Sequence, residues 1–409
     1  MSTETDQEHP CLPGGLIALE QWQAPETSIR KTLRTGVRDI LDQLRASIHP
    51  EEQAFRSLDD LPLLTPDRLR QYAPPPDAAE VTRAILAQLE TREALRGRSV
   101  SFLVVPPFSG LARSLADSGR RVITPPDNLL LSEQDARSWW QRQLSGDHWV
   151  IPELADFWLR HRSGLPLLKE LFALLASDKA GTGLIGCSSW CWQFWANYLP
   201  ELPVAPVTPA PLDGERLVRW LDHLARSQTG QSLTVRMTHD GLYVLPAPEQ
   251  AGQIKYSSFA QDLASLARGN PGVALAIWRR ALRARPEAES EGDDVKSEGD
   301  LEAVTSSGPG CWVAPLDQLS LPAVPQSVGR HSSHVLHALL LHEGLSEEQL
   351  ALVTGLSHRE VDLTLGRCQR AELVTVADTG TYFHVTPLGY PAVRKYLLSR
   401  GYPADGFGE

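Results

Sequence analysis

From residue 100 onward, short apolar runs alternate with amphipathic stretches. Phe102, Leu103, Val104 and Val105 form a continuous apolar run before a Pro-Pro-Phe-Ser-Gly turn. This predicts a buried strand, a tight turn, and a helix with Leu111 and Leu115 on one side. Residues 121–124 (RVIT) predict a second strand, ended by Pro125-Pro126. Residues 148–154 predict a third and 183–188 a fourth. The Pro-rich stretch 203–212, with Val204 and Val207, predicts a fifth, at the edge of the sheet. Helices are expected between them: one carrying Trp139 and Trp140, one over 158–176, and an aromatic one over 190–198. Strands alternating with helices imply a parallel sheet covered on both faces.

The flanks have other patterns. Residues 1–14 read as a disordered tail. Residues 28–46 form an amphipathic helix, apolar at Ile29, Leu33, Val37, Ile40, Leu41 and Leu44 and basic on the other face. That basic face reads as a solvated surface before a membrane-binding or partner-binding one. A Pro-Pro-Pro-Asp break precedes a helix over 78–91. After the sheet, 213–226 is helical. Residues 233–245 predict a hairpin turning at Asp240-Gly241, and a helical pair follows, broken at Gly269-Asn270-Pro271-Gly272. Residues 286–309 are acidic and poor in apolar side chains, the composition of a disordered linker.

The last part predicts a helix over 335–341 and a second, short helix opened by the capping box Ser346…Gln349. A third, over 357–371, is capped by Ser357 with Glu360. Strands 373–376 and 382–385 then pair around Asp378-Thr379-Gly380, and a helix over 391–400 ends the module. Helix, helix, turn, helix, wing is the winged helix–turn–helix plan. The expected domains are 1–74, an N-terminal tail and helical region; 75–285, the sheet domain; 286–310, the linker; and 311–402, the winged helix.

Composition narrows the function. The chain has 409 residues, enough for two or three domains. A net charge of −11 argues against a surface built throughout for nucleic acid or acidic membranes. No apolar run approaches the ~18 residues of a membrane span, and the polar, acidic N-terminus is not a signal peptide. Five cysteines make no disulfide framework and fit a reduced cytoplasm.

Strand, tight turn and helix at 100–116 is the setting of a phosphate-binding loop. Laid on G-x-x-x-x-G-K-[ST], Val105 takes the first glycine position and Gly110 keeps the second. Leu111 stands at the lysine and Ala112 at the Ser/Thr. Leucine neutralises no phosphate, and alanine ligates no metal. Residues 100–283 resemble P-loop ATPases of the AAA+/STAND kind. HWVIPELADF sits where that family places its acidic motif, with Pro152 and Glu153 at the acidic positions. LIGCSSW sits at its sensor strand, with Ser188 or Ser189 as the polar residue. Arg268-Gly-Asn-Pro-Gly-Val-Ala-Leu275 resembles the turn opening the last helix of its small helical lid. A winged helix after the lid is also the family's order. The resemblance implies an α/β fold: a parallel-sheet P-loop NTPase-like domain with a small helical lid, plus an α+β winged-helix domain. It implies a degenerate nucleotide site at Pro106, Ser109, Gly110, Glu153, Ser188, Asn270 and Pro271. With lysine and acidic motif damaged, no catalytic residue is assigned. The expected cofactor is none, or weakly held ATP or ADP.

Cys187 and Cys191, with His148 and His161 in the same region, read as core cysteines before a zinc site. His331, His334, His337 and His342 read as helix surface. Trp190, Trp192, Trp195, Phe194 and Tyr198 ring one helix and read as core before partner surface. A DNA-reading third helix would use His358, Arg359, Arg367 and Arg370, but Glu360 and Asp362 lie among them. The expected function is that of a cytoplasmic, non-catalytic regulator or scaffold whose winged helix engages a protein partner or its own body, the protein assembling with copies of itself or with an active relative. The alternatives are a DNA-binding regulator and an ATPase with an atypical site.

Overall fold

The computed structural model describes residues 9–25, 61–91, 99–144, 148–199, 204–245, 256–284, 310–325, 329, 331–377 and 380–405. The helix expected over 28–46 and the acidic stretch 286–309 lie outside these residues. The chain opens with strand β1 (Leu16–Ala18) and helices α1 (Pro66–Tyr72) and α2 (Ala78–Thr91). The sheet domain continues as β2 (Val100–Val105), α3 (Leu111–Ser114), β3 (Arg121–Val122), α4 (Glu133–Gln143), β4 (Trp149–Ile151), α5 (Pro166–Ala176), β5 (Gly183–Ser188), α6 (Ser189–Tyr198) and β6 (Val207–Pro209).

These strands form one sheet in the order β1-β6-β2-β5-β4-β3. All pairs are parallel except β1 with β6. Numbered along the chain, the five parallel strands run 5-1-4-3-2, so the order reverses at β2. Phe102, Leu103, Val104 and Val105 are all buried, which accounts for an apolar run without alternation.

Three expectations are corrected here. The fifth strand, β6, is not an edge, because β1 pairs along its outer side. Residues 9–14 are not a loose tail. Cys11 and Leu12 are buried against Val81 and Ile85, and Leu16 N donates to Gln88 Oε1 at 2.6 Å. The helix expected from 158 begins only at Pro166, since 158–165 turn through a single 3-10 turn at Arg162–Gly164. Proline at the first helical position and a tight approach of Gly164 to Leu159 O place the start there.

The lid follows as α7 (Gly214–Thr229), β7 (Thr234–Met237), α8 (Phe259–Leu266), α9 (Pro271–Ala281) and β8 (Leu282–Arg283), with β9 (Gly310–Val313) after it in the chain. The hairpin after β7 forms, with Val244 N donating to Val235 O at 2.9 Å. Its second arm is only a bridge at Tyr243. The other side of β7 pairs in parallel with β9, which also pairs with β8. Cys311, Trp312 and Val313 thus complete the lid's sheet.

The winged helix matches its expected plan: α10 (Ser332–Leu341), α11 (Glu347–Thr354), α12 (His358–Arg370), β10 (Val374–Val376), β11 (Phe383–Val385) and α13 (Tyr390–Ser399). Both capping boxes, Ser346 with Gln349 and Ser357 with Glu360, are formed. The chain is therefore α/β: a parallel-sheet P-loop NTPase-like domain with a helical lid, and an α+β winged helix. Among the described residues no helix is long and apolar enough to cross a membrane.

Candidate functional site

In open α/β sheets the ligand crevice lies beyond the carboxyl ends of the strands, where strand order reverses. That place is the loop Pro106–Gly110 after β2. Phe108 (φ 64°) and Gly110 (φ 70°) are both left-handed. Phe108 is the costlier, since a side chain crowds that conformation. The following helix α3 has four residues and runs into a single 3-10 turn at Leu115–Asp117. So short a helix offers little dipole to a phosphate. Leu111 and Ala112, at the lysine and Ser/Thr positions, are buried in the core beside Leu115 and Val105.

The loop is gripped from two sides. Asn270 Nδ2 donates to Pro107 O at 2.8 Å, while Asn270 Oδ1 accepts from Val273 N at 3.2 Å and caps α9. Both ends of that side chain are thereby engaged. Pro271 is the first residue of α9. A Cβ on Gly272 would stand 2.0 Å from Phe108 O, so only glycine allows this approach. The Phe108 ring meets Tyr390 of α13 edge-on at 5.3 Å. Lid and winged helix thus both bear on the loop that would wrap phosphate.

Beyond β4 lies an acidic cluster. Glu153 is 1% exposed. Its Oε1 accepts from Ala155 N and Ser188 N, each at 3.0 Å. Its Oε2 has no hydrogen-bond partner among the described residues. Burial, then the nearby Glu343 and Asp156, push this carboxyl well above the usual range. Arg113 grips Asp156 through two bonds of 3.1 and 3.2 Å and lies 3.8 Å from Glu343. Burial raises Glu343 to about 7 against the pull of Arg113. These groups, the loop and the wing residues Thr375 and His384 line a cleft of about 550 Å³.

A second cleft, of about 400 Å³, lies on the other side of the loop, lined by Pro75, Pro76, Ser109, Trp220, Leu275 and Arg279 among others. Arg279 Nε donates to Ala73 O at 2.7 Å. The arginines that line the two clefts, Arg113 and Arg279, are both engaged within the protein.

The sensor-strand serines diverge. Ser188 Oγ is buried without a partner among the described residues. Ser189 Oγ donates to Asp405 Oδ2 at 2.8 Å, at the far end of the chain. Asp405 also accepts from Tyr390 OH (3.1 Å) and Arg394 Nε (3.2 Å), and Trp190 Nε1 donates to Tyr390 OH (3.1 Å). A second seam joins α10 to the body. Arg160 Nη1 lies 3.2 Å from His337 Nδ1, and Arg160 N donates to His342 Nε2 at 3.3 Å. Burial, then the Arg160 charge, lowers His337 to about 4 and His342 to about 3. These two histidines are interface core, which corrects their reading as helix surface. His331 faces Glu360 at 3.6 Å, and His334 Nδ1 lies 2.7 Å from Tyr402 OH.

Cys187 and Cys191 are buried in the tryptophan-rich core of the sheet domain. His148 is exposed, and His161 Nδ1 accepts from Ser163 N, so the structure does not bring these four together. Trp190 and Trp195 of α6 are buried, while Tyr198 is exposed. On α12, His358, Arg359, Asp362, Arg367 and Arg370 are all exposed. Arg359, Leu363, Arg367 and Arg370 follow the i, i+4, i+8, i+11 spacing of one helix face. The residues that sequence reasoning missed are Arg113, Asp156, Glu343 and Asp405. Only Asp156 carried a signal, three residues beyond Glu153.

No family model matches the chain, and no curated protein does. Among solved structures it is similar to the ORC2 protein of Aeropyrum pernix, determined as ADPNP–ADP complexes. The identity is 12% and the TM-score 0.25, over 85% of this chain and 98% of that one. At that TM-score the likeness has no weight, and the fold stands on the strand order, the lid and the winged helix described above.

Proposed function

We propose that the chain is a cytoplasmic, non-catalytic regulator or scaffold. Its AAA+/STAND-like body has given up nucleotide chemistry and serves as the platform for a winged helix that engages a protein partner or a second copy. The supporting observation is the double grip on the loop at Pro107 and Phe108 by Asn270, Gly272 and Tyr390. Phosphoryl transfer needs a positive clamp and a metal. Leu111 and Ala112 lie in the core, Pro152 stands at the metal-organising position, and burial pushes the Glu153 carboxyl well above the usual range. The cleft of about 400 Å³ leaves room for weak ATP or ADP binding without hydrolysis. The test is calorimetry with ATP and ADP, with and without Mg²⁺. Binding weaker than ~10 µM, or none, is expected. A dissociation constant near or below ~10 µM, about −7 kcal/mol, would overturn the reading.

A second reading, DNA binding through α12, gains from one observation: Arg359, Arg367 and Arg370 are all exposed and share one helix face. Duplex DNA retarded by the native protein but not by Arg359→Glu/Arg367→Glu would favour it. No retardation at low salt favours the protein partner.

A further inference from the structure

We propose that His9, Cys11 and Glu80 form a zinc site that ties the N-terminal segment to helix α2. One ligand atom from each residue lies within 4.8 Å of the other two, and among the described residues no other His/Cys/Asp/Glu group converges in this way. None of the three takes part in the loop, the acidic cluster or the winged-helix seams.

The residues arrive from separate parts of the chain. His9 and Cys11 stand on a turn in which Leu12 N donates to His9 O at 2.9 Å. Cys11 is buried against Val81 and Ile85 of α2, and Glu80 lies in the first turn of that helix. His223 of α7 approaches the carboxylate, Nε2 3.3 Å from Oε1. A carboxylate has two oxygens, so one can take His223 and the other the ion. Carboxylates that ligate a metal are themselves commonly held by a hydrogen bond, and His223 stands where it can supply one.

The donor set selects the ion. One imidazole nitrogen, one thiolate and one carboxylate suit zinc; a sulfur ligand argues against calcium and magnesium. Zinc sits about 2.3 Å from sulfur and about 2.1 Å from nitrogen, which spaces the two donors roughly 3.5 Å apart in a tetrahedron. Cys11 Sγ and His9 Nδ1 are now 3.0 Å apart. The ion therefore enters by opening that pair about half an ångström. On binding, the thiol proton leaves to water, and the thiolate and carboxylate charges balance the dication. Water takes the fourth corner. The tie would add to what holds β1, a three-residue edge strand, beside β6.

The full chain, purified in reducing buffer without a metal-affinity tag, is loaded with Zn²⁺ and dialysed against metal-free buffer. One zinc per chain is expected by elemental mass spectrometry. With Co²⁺ in its place, a thiolate-to-cobalt absorption band is expected, lost in Cys11→Ser. His9→Ala and Glu80→Gln should each weaken Co²⁺ binding at least about tenfold. Because Cys11 is buried, the half-exposed His9→Ala keeps the test valid should Cys11→Ser unfold. Zinc well below one per chain, or Co²⁺ affinity unchanged in His9→Ala, would overturn the proposal.

Discussion

Ser189 at the start of α6 donates to the carboxylate of Asp405, 216 positions further along the chain, at 2.8 Å. The same carboxylate holds Arg394 in a buried ion pair at 3.2 Å. Asp405 thus ties the winged helix to the residue that directly follows β5.

Asp405→Ala leaves the Arg394 guanidinium buried without its counter-charge. Breaking one side of such a pair costs about 3–5 kcal/mol. Denaturant unfolding should register that loss, and the emission of Trp190, whose Nε1 donates to Tyr390, should change with it. The double variant Arg394→Met/Asp405→Leu should recover part of the stability, because no buried charge remains. An Asp405→Ala protein as stable as the native one would remove the tie.

Gly272→Ala drives a methyl group to 2.0 Å from Phe108 O. Overpacking costs about 1–3 kcal/mol, and a backbone oxygen cannot move aside as a side chain can, so the upper end is expected. Asn270→Ala removes the α9 cap and the bond to Pro107. A loss of about 1–2 kcal/mol is expected there. Thermal unfolding of both variants measures how firmly the lid grips the loop.

The acidic cluster and the α10 seam respond to pH in opposite directions. Glu343 is raised from 4.5 to about 7. The native state then holds a proton that the unfolded chain has lost, and this stabilisation is full below pH 4.5 and lost as pH rises through 7. His337 and His342 are lowered from 6.5 to about 4 and about 3. Their contribution is present above pH 6.5 and fades as pH falls from there towards 3. Melting temperatures of native protein and Glu343→Gln between pH 4.5 and 7 should diverge, with the variant gaining on the native protein as pH rises. Parallel curves would mean that Glu343 titrates normally.

Arg359→Glu and Arg367→Glu touch exposed side chains of α12. Stability should change by no more than about 0.5 kcal/mol. A DNA or partner defect in these variants would then report the surface itself, and circular dichroism melts provide the control.

The candidate site was legible in the sequence only as an absence. Leu111 and Ala112 announced the missing lysine and hydroxyl, because a motif is a local pattern of residue types. Nothing local foretold that Asn270 would spend both ends of its amide on the loop and on its own helix. The upward shift of the Glu153 carboxyl was equally hidden: it comes from burial, then from Glu343 and Asp156, and Glu343 lies 190 positions away in sequence. The histidines of α10 looked like surface because their spacing is helical and their chemistry polar. Arg160 and Trp158 of the body turned two of them inward.

By itself the sequence determined the elements: the apolar run of β2, the capping boxes of α11 and α12, the wing, the turn before α9. Each depends on interactions within a few residues, where period, cap and turn chemistry act. Tertiary structure alone decided that residues 16–18 would complete the sheet beside β6, that β9 would join β7 from far along the chain, and that Asp405 would reach Ser189. Those pairings depend on which surfaces remain apolar or unbonded once the elements have formed, and that is a property of the assembled molecule rather than of any stretch of chain.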